Sequence, residues 1–153
     1  MRNASQLLIR LMLAIPLLLA LAPRASAETV TETASKWGLI GPWSQDCSLP
    51  PDHDRGMVLI YAIERGDRLM YRRNLGDTRD DREVVGADLS ADGMLNLRVY
   101  FPSLNQTREY GLMKLPDGTM RAMYNRNQKG EYTIRDGKFT ANGNPTPLQH
   151  KCD

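Results

Sequence analysis

The side chains best suited to chemistry in this chain are arginines and tyrosines that recur on successive stretches of alternating sequence: Tyr71, Arg72, Arg73, Arg98, Tyr100, Arg108, Tyr110, Arg121, Tyr124 and Arg126. Arginine carries a planar fork of donors that matches an acidic group, and tyrosine adds rigid area with a polar tip, so a sheet face mixing the two suits a polyanion, a glycan or an acidic protein patch. Tyr71, Arg73, Arg98, Tyr100, Arg108, Tyr110, Arg121 and Tyr124 are the candidate binding residues on this reading. The competing reading makes them the polar outer surface of an exported barrel, with interspersed acids cancelling most of the field. Bond-making chemistry has less to work with. Only His53 and His150 are of the residue type that serves as a near-neutral base, and both lie in loop or tail sequence away from any nucleophile motif. No G-x-S-x-G, H-E-x-x-H, phosphate-loop or dinucleotide fingerprint occurs. The acidic stretches 52–54 and 77–81 lack the spacing of a calcium loop and read as solvated charge. The reading is therefore of a binding protein, not an enzyme, with no catalytic residue, metal ligand or cofactor assigned.

The two cysteines, Cys47 and Cys152, are read as one disulfide, because the N-terminal sequence predicts export to an oxidising compartment. A metal site built from the same two thiolates and His150 is the alternative, and it lacks paired C-x-x-C spacing. Export is predicted from residues 1–27. Arg2 and Arg10 precede an apolar run over 11–22, and Ala25-Ser26-Ala27 offers small residues for cleavage. About a dozen apolar residues is short against the roughly 20 of a membrane-spanning helix, so the leader is expected to be removed and the mature chain to carry no membrane span. The product is then periplasmic or secreted. Arg2, Arg10 and Arg24 leave with the leader, so the net charge of +2, from 20 Lys+Arg against 18 Asp+Glu, falls by three to −1. That balance gives no reason to expect nucleic acid or an anionic membrane as partner.

The elements that must hold these residues are strands. Residues 28–36 are polar and lack a helical period, so they read as a flexible N-terminal arm, and 37–153 as a single domain. Trp37 to Trp43 brings two tryptophans and two aliphatics, leading into a first strand. After the loop at 48–55, period-two runs separated by glycine and aspartate turns follow at 57–64, 68–75, 83–89, 94–101, 106–115, 119–126 and 132–135, with 138–141 as a last short run. Residues 76–82 read as a charged loop between two of them. The cleanest alternation places Leu95, Leu97, Val99 and Phe101 on one face. About eight strands joined by short hairpins predict an all-β, antiparallel up-and-down meander, a small barrel closed by the disulfide, with an open sandwich as the alternative.

Gly41-Pro42-Trp43, placed just ahead of the first strand of such a meander, resembles the G-x-W of lipocalins and related calycin barrels. In that family the tryptophan closes one end of the barrel against an arginine from a late strand. The resemblance implies a lipocalin-like barrel in which Gly41, Trp43 and either Arg126 or Arg135 make the closure. The sequence is also similar to small exported bacterial barrels that inhibit proteases. The expected function is a monomeric, non-enzymatic exported binding protein whose partner is a small apolar ligand or another exported protein. The alternative is a periplasmic inhibitor that inserts residues 28–36 into the cleft of an exported protease or other hydrolase.

Overall fold

Alternating apolar and polar side chains extend this backbone, because successive residues of a strand face opposite sides of the sheet and one side can then be buried. A computed structural model describes residues 27–54 and 56–153. Apart from Ala27, the predicted leader lies outside the described residues. These form α1 (Val30–Trp37), β1 (Gly41–Ser44), β2 (Val58–Glu64), β3 (Arg68–Asn74), β4 (Arg79–Leu89), β5 (Leu95–Phe101), β6 (Gln106–Lys114), β7 (Met120–Asn127), β8 (Tyr132–Arg135), β9 (Lys138–Phe139) and β10 (His150–Lys151). All neighbours pair antiparallel, in the order β10-β1-β2-β3-β4-β5-β6-β7-β8-β9. The expected antiparallel meander is therefore the fold, curled into a half-barrel.

The tail joins the two sides of that curl. Lys151 and His150 pair with Trp43 and Ser44, while Gln149 exchanges both backbone hydrogen bonds with Met120 at the start of β7, each 2.8 Å. Cys152 donates its backbone N–H to Pro42 O at 2.9 Å, and its side chain is bonded to Cys47 across a Cα separation of 5.5 Å. Four consecutive residues thus form a seam between β1 and β7. The β8–β9 hairpin leaves from the other half of β7, and Thr146 ties the loop behind it down, donating its hydroxyl to Ala122 O at 2.8 Å.

The inner face is apolar towards one end. Leu39, Leu69, Leu95, Leu97, Val99 and Met120 are fully buried there, and so is Trp43, whose indole N–H reaches Leu39 O at 2.7 Å. Each such aliphatic contributes about 1.5–3 kcal/mol of transfer free energy.

Helix α1 caps this end, and here the structure corrects the expected flexible arm. Thr29 and Glu32 form a reciprocal capping box, with Glu32 N–H to Thr29 Oγ1 at 3.2 Å and Thr29 N–H to Glu32 Oε2 at 2.8 Å. Gly38, at φ 86°, ends the helix in the left-handed conformation that costs glycine little. Three anchors dock it onto the hairpin turns. Thr31 donates to Asp67 at 2.6 Å, the Trp37 indole donates to Gly93 O at 3.0 Å, and Lys114 donates to Trp37 O while its ammonium sits 4.5 Å from the Trp37 ring centroid.

A second correction concerns residues 79–82, which belong to β4 instead of a loop. Their charges are matched across the strand pair: Asp81 lies opposite Arg72 and Asp80 opposite Arg73. Opposite charges in register stabilise a polar strand end as well as apolar pairs do.

Candidate functional site

With α1 and Trp43 closing one end, the interior opens towards the hairpins at the other. A cavity of about 220 Å³ lies in that upper half, walled by Leu59, Tyr61, Tyr71, Arg73, Tyr110, Leu112, Met120, Ala122, Asn125, Ile134, Phe139 and Gln149. Strand alternation explains the set. Tyr61 and Tyr71 face each other across β2 and β3 and stack at 5.1 Å with 21° between planes, and Tyr110 meets Tyr71 edge-on at 6.0 Å. Burial pushes the Tyr61 and Tyr71 hydroxyls well above the ordinary phenol range. It raises Tyr110 too, with Asn125 and the guanidinium groups of Arg108, Arg73 and Arg82 pulling the other way. All three phenols are neutral at physiological pH and available as hydrogen-bonding groups.

Charged residues crown this ring on the same inner face. Asp80 lies opposite Arg73, and Arg82 opposite Tyr71. Arg73 donates through Nε to both Asp80 oxygens, at 3.0 and 3.1 Å, and Arg82 Nη1 donates to the same carboxylate. The Arg82 guanidinium also lies 4.3 Å from the Phe101 ring centroid. Burial tends to raise the Asp80 pKa, but the hydrogen bonds and charges of Arg73 and Arg82 outweigh it and leave the carboxyl below its ordinary value. Arg108, two residues before Tyr110 on β6, donates Nε to Asn125 Oδ1 at 2.7 Å and Nη2 to Thr133 Oγ1 at 3.2 Å. Lower in the wall, Gln149 Oε1 is buried with no protein partner.

The remaining sequence candidates lie on the outer face, so the single binding face divides in two. Arg72, Arg98, Tyr100 and Arg121 alternate with inward residues of their strands. Tyr124 also points out, because a register shift between Gly111 and Leu112 turns Asn125 inward instead. The Tyr124 ring lies flat on Gly111, where a Cβ would come within 2.2 Å of Cε1, and its hydroxyl donates to Asn96 at 2.9 Å. Arg98 covers Gly86 in the same way. A broader groove of about 660 Å³ runs over this outer face, but each of its arginines has an acid beside it. Arg126 binds Glu109 through Nε at 2.5 Å, Arg98 stands 3.8 Å from Asp88 and Arg135 4.0 Å from Asp136. The mainly apolar interior, closed at one end, is the better candidate site.

The expected partners of Trp43 are also corrected. Arg126 lies 5.7 Å from the Tyr124 ring and Arg135 5.3 Å from the Tyr132 ring, both on the outer groove. The cation beside Trp43 is Lys151, 5.8 Å from the ring centroid and brought there by register in the seam. Gly41, at φ 122°, pairs with Tyr61 at the head of β1.

Sequence reasoning missed Tyr61, Asp80, Arg82, Asn125 and Gln149. The signal for two of them was present: Asp80, Arg82 and Val84 continue the period-two alternation of β4 upstream of Glu83. Of the two histidines, His53 lies 3.3 Å from Asp77 in the rim loops and His150 is exposed on the seam. Among the described residues, no group of three His, Cys, Asp or Glu side chains is placed to hold a metal, and no helix is long and apolar enough to cross a membrane. The chain matches no protein-family model, no curated protein and no solved structure.

Proposed function

We propose that this chain is an exported, non-enzymatic binding protein that holds a small, mainly apolar ligand inside its curled sheet, in the manner of a lipocalin. The observation that carries this reading is the interior cavity: about 220 Å³, walled by stacked tyrosines and aliphatics, closed at one end by α1 and Trp43 and open at the other. An apolar cavity of about 150 Å³ accommodates benzene, and drug-sized ligands occupy roughly 300–1,000 Å³. The ligand that fits is therefore about the size of a substituted benzene. Export fits the Cys47–Cys152 disulfide, which persists in oxidising compartments. The alternative, a hydrolase inhibitor acting through residues 28–36, would require α1 to leave its three anchors, and no observation favours it.

The test is a ligand titration of the mature chain with toluene, benzyl alcohol and hexanol, followed by NMR shifts and melting temperature. Binding is expected to shift resonances of Tyr61, Tyr71 and Tyr110 and to raise the midpoint as the ligand exceeds its Kd. Ala122→Leu, which fills the cavity, should abolish the effect while the protein still melts cooperatively. A mature protein that binds none of the three overturns the reading.

A further inference from the structure

Resting on the interior-cavity reading above, we propose that the ligand is a small organic acid, its carboxylate received by Arg73, Arg82 and Arg108 at the mouth and its apolar body lying among the tyrosines. The three arginines share one face. Arg73 and Arg82 alternate on paired strands with Tyr71, and Arg108 sits two residues from Tyr110. Arg73 itself lines the cavity. Arg108 reaches the cavity wall through Asn125, which accepts its Nε–H at 2.7 Å, and Arg82 shares the Asp80 carboxylate with Arg73.

The charges at this mouth do not balance. Among the described residues, Asp80 is the one carboxylate these guanidiniums contact, and it is shared by Arg73 and Arg82, while Arg108 is held by the neutral groups Asn125 and Thr133. Three cations against one anion leave a surplus of two positive charges. On the outer groove, by contrast, Arg126, Arg98 and Arg135 each have an acid of their own. The surplus is also partly withdrawn from water. The Arg82 side chain is 13% exposed and that of Arg73 32%, so an incoming anion meets them in a medium less screening than bulk solvent. A guanidinium has five N–H donors in a fixed fork, and Asp80 engages two nitrogens of Arg73 and one of Arg82. Donors remain for a second carboxylate, bound side by side in the geometry arginine favours. The cavity volume limits the body attached to it to about one aromatic ring.

The experiment compares benzoate with benzyl alcohol on the mature chain at low and high salt, by calorimetry or NMR titration. The two share a ring and differ in charge. Benzoate is expected to bind at least about tenfold more tightly at low salt, with the preference shrinking as salt screens the mouth. Arg108→Gln keeps an N–H donor where Nε faces Asn125 Oδ1 and removes the charge, and it should cut that preference by about tenfold while leaving benzyl alcohol affinity unchanged. Equal affinities for the two in the native sequence overturn the acid assignment and leave the cavity reading standing. So does a folded Arg108→Gln protein with undiminished benzoate preference. If neither compound binds, the cavity reading fails with it.

Discussion

Asp80 shows how one side chain organises the mouth. It holds Arg73 and Arg82 on adjacent strands, and their guanidiniums keep its carboxyl below the ordinary value despite partial burial. A group whose pKa is depressed on folding contributes stability that is fully present above its unfolded value, about 3.9, and is lost as pH falls through the folded value. The wild-type melting temperature should therefore exceed that of Asp80→Asn at pH 6, and the gap should close below about pH 4. A gap that stays constant down to pH 2 would show that the carboxylate's charge does not hold the arginines. The residue was hidden in the sequence by its neighbours: residues 76–82 are so charged that they read as a loop. Tyr71, Arg73, Arg108 and Tyr110 were legible as ligand-binding types, but not as one inner cluster apart from Arg98, Tyr100 and Tyr124. That division depends on which of two adjacent residues faces in, and a register shift in β6–β7 reverses it for Tyr124 and Asn125.

Among the elements, the strands were legible and the helix was not, for one physical reason. A strand such as β5 buries large apolar residues at every second position, while α1 buries Thr31, Thr33 and Ala34, with Trp37 at its end. Its apolar side is only Val30, Ala34 and Trp37, set among buried threonines, so the helical period rests on one residue per turn over two turns and is easily passed over. The cap carries a separate signal, because Thr29 followed by Glu32 and closed by Gly38 is a start and stop pattern independent of apolar content. That cap also sets the prediction for the element. Thr29→Ala removes the side-chain acceptor for Glu32 N–H and should cost about 1 kcal/mol by denaturant unfolding. The loss should appear first as faster amide exchange in α1 and at the turns it covers, near Asp67 and Gly93. Unchanged exchange at those turns would mean that α1 is not what closes this end of the barrel.

For the whole molecule, the pairing of Cys47 with Cys152 is the long-range contact read from the sequence that the structure contains, whereas the closure of Trp43 by Arg126 or Arg135 is not, and the seam forms around the disulfide. Cys152→Ser should lower stability by about 2–5 kcal/mol, measured by urea unfolding against the oxidised wild type. A loss near zero would mean that the backbone pairing of residues 149–152 closes the sheet unaided. The seam also orders assembly in time. Each hairpin from β2 to β7 joins strands adjacent in sequence and is free to form as the chain emerges, whereas the edge of β1 away from β2 must wait for β10, which follows every other strand and leads into Cys152, 105 residues beyond Cys47. Until it arrives, β1 and the first half of β7 have unpaired backbone groups, and Cys47 is a free thiol. A chain interrupted anywhere before Gln149 keeps both open edges and an unpaired thiol, so an unfinished molecule differs chemically from a finished one at its strand edges and at its sulfur.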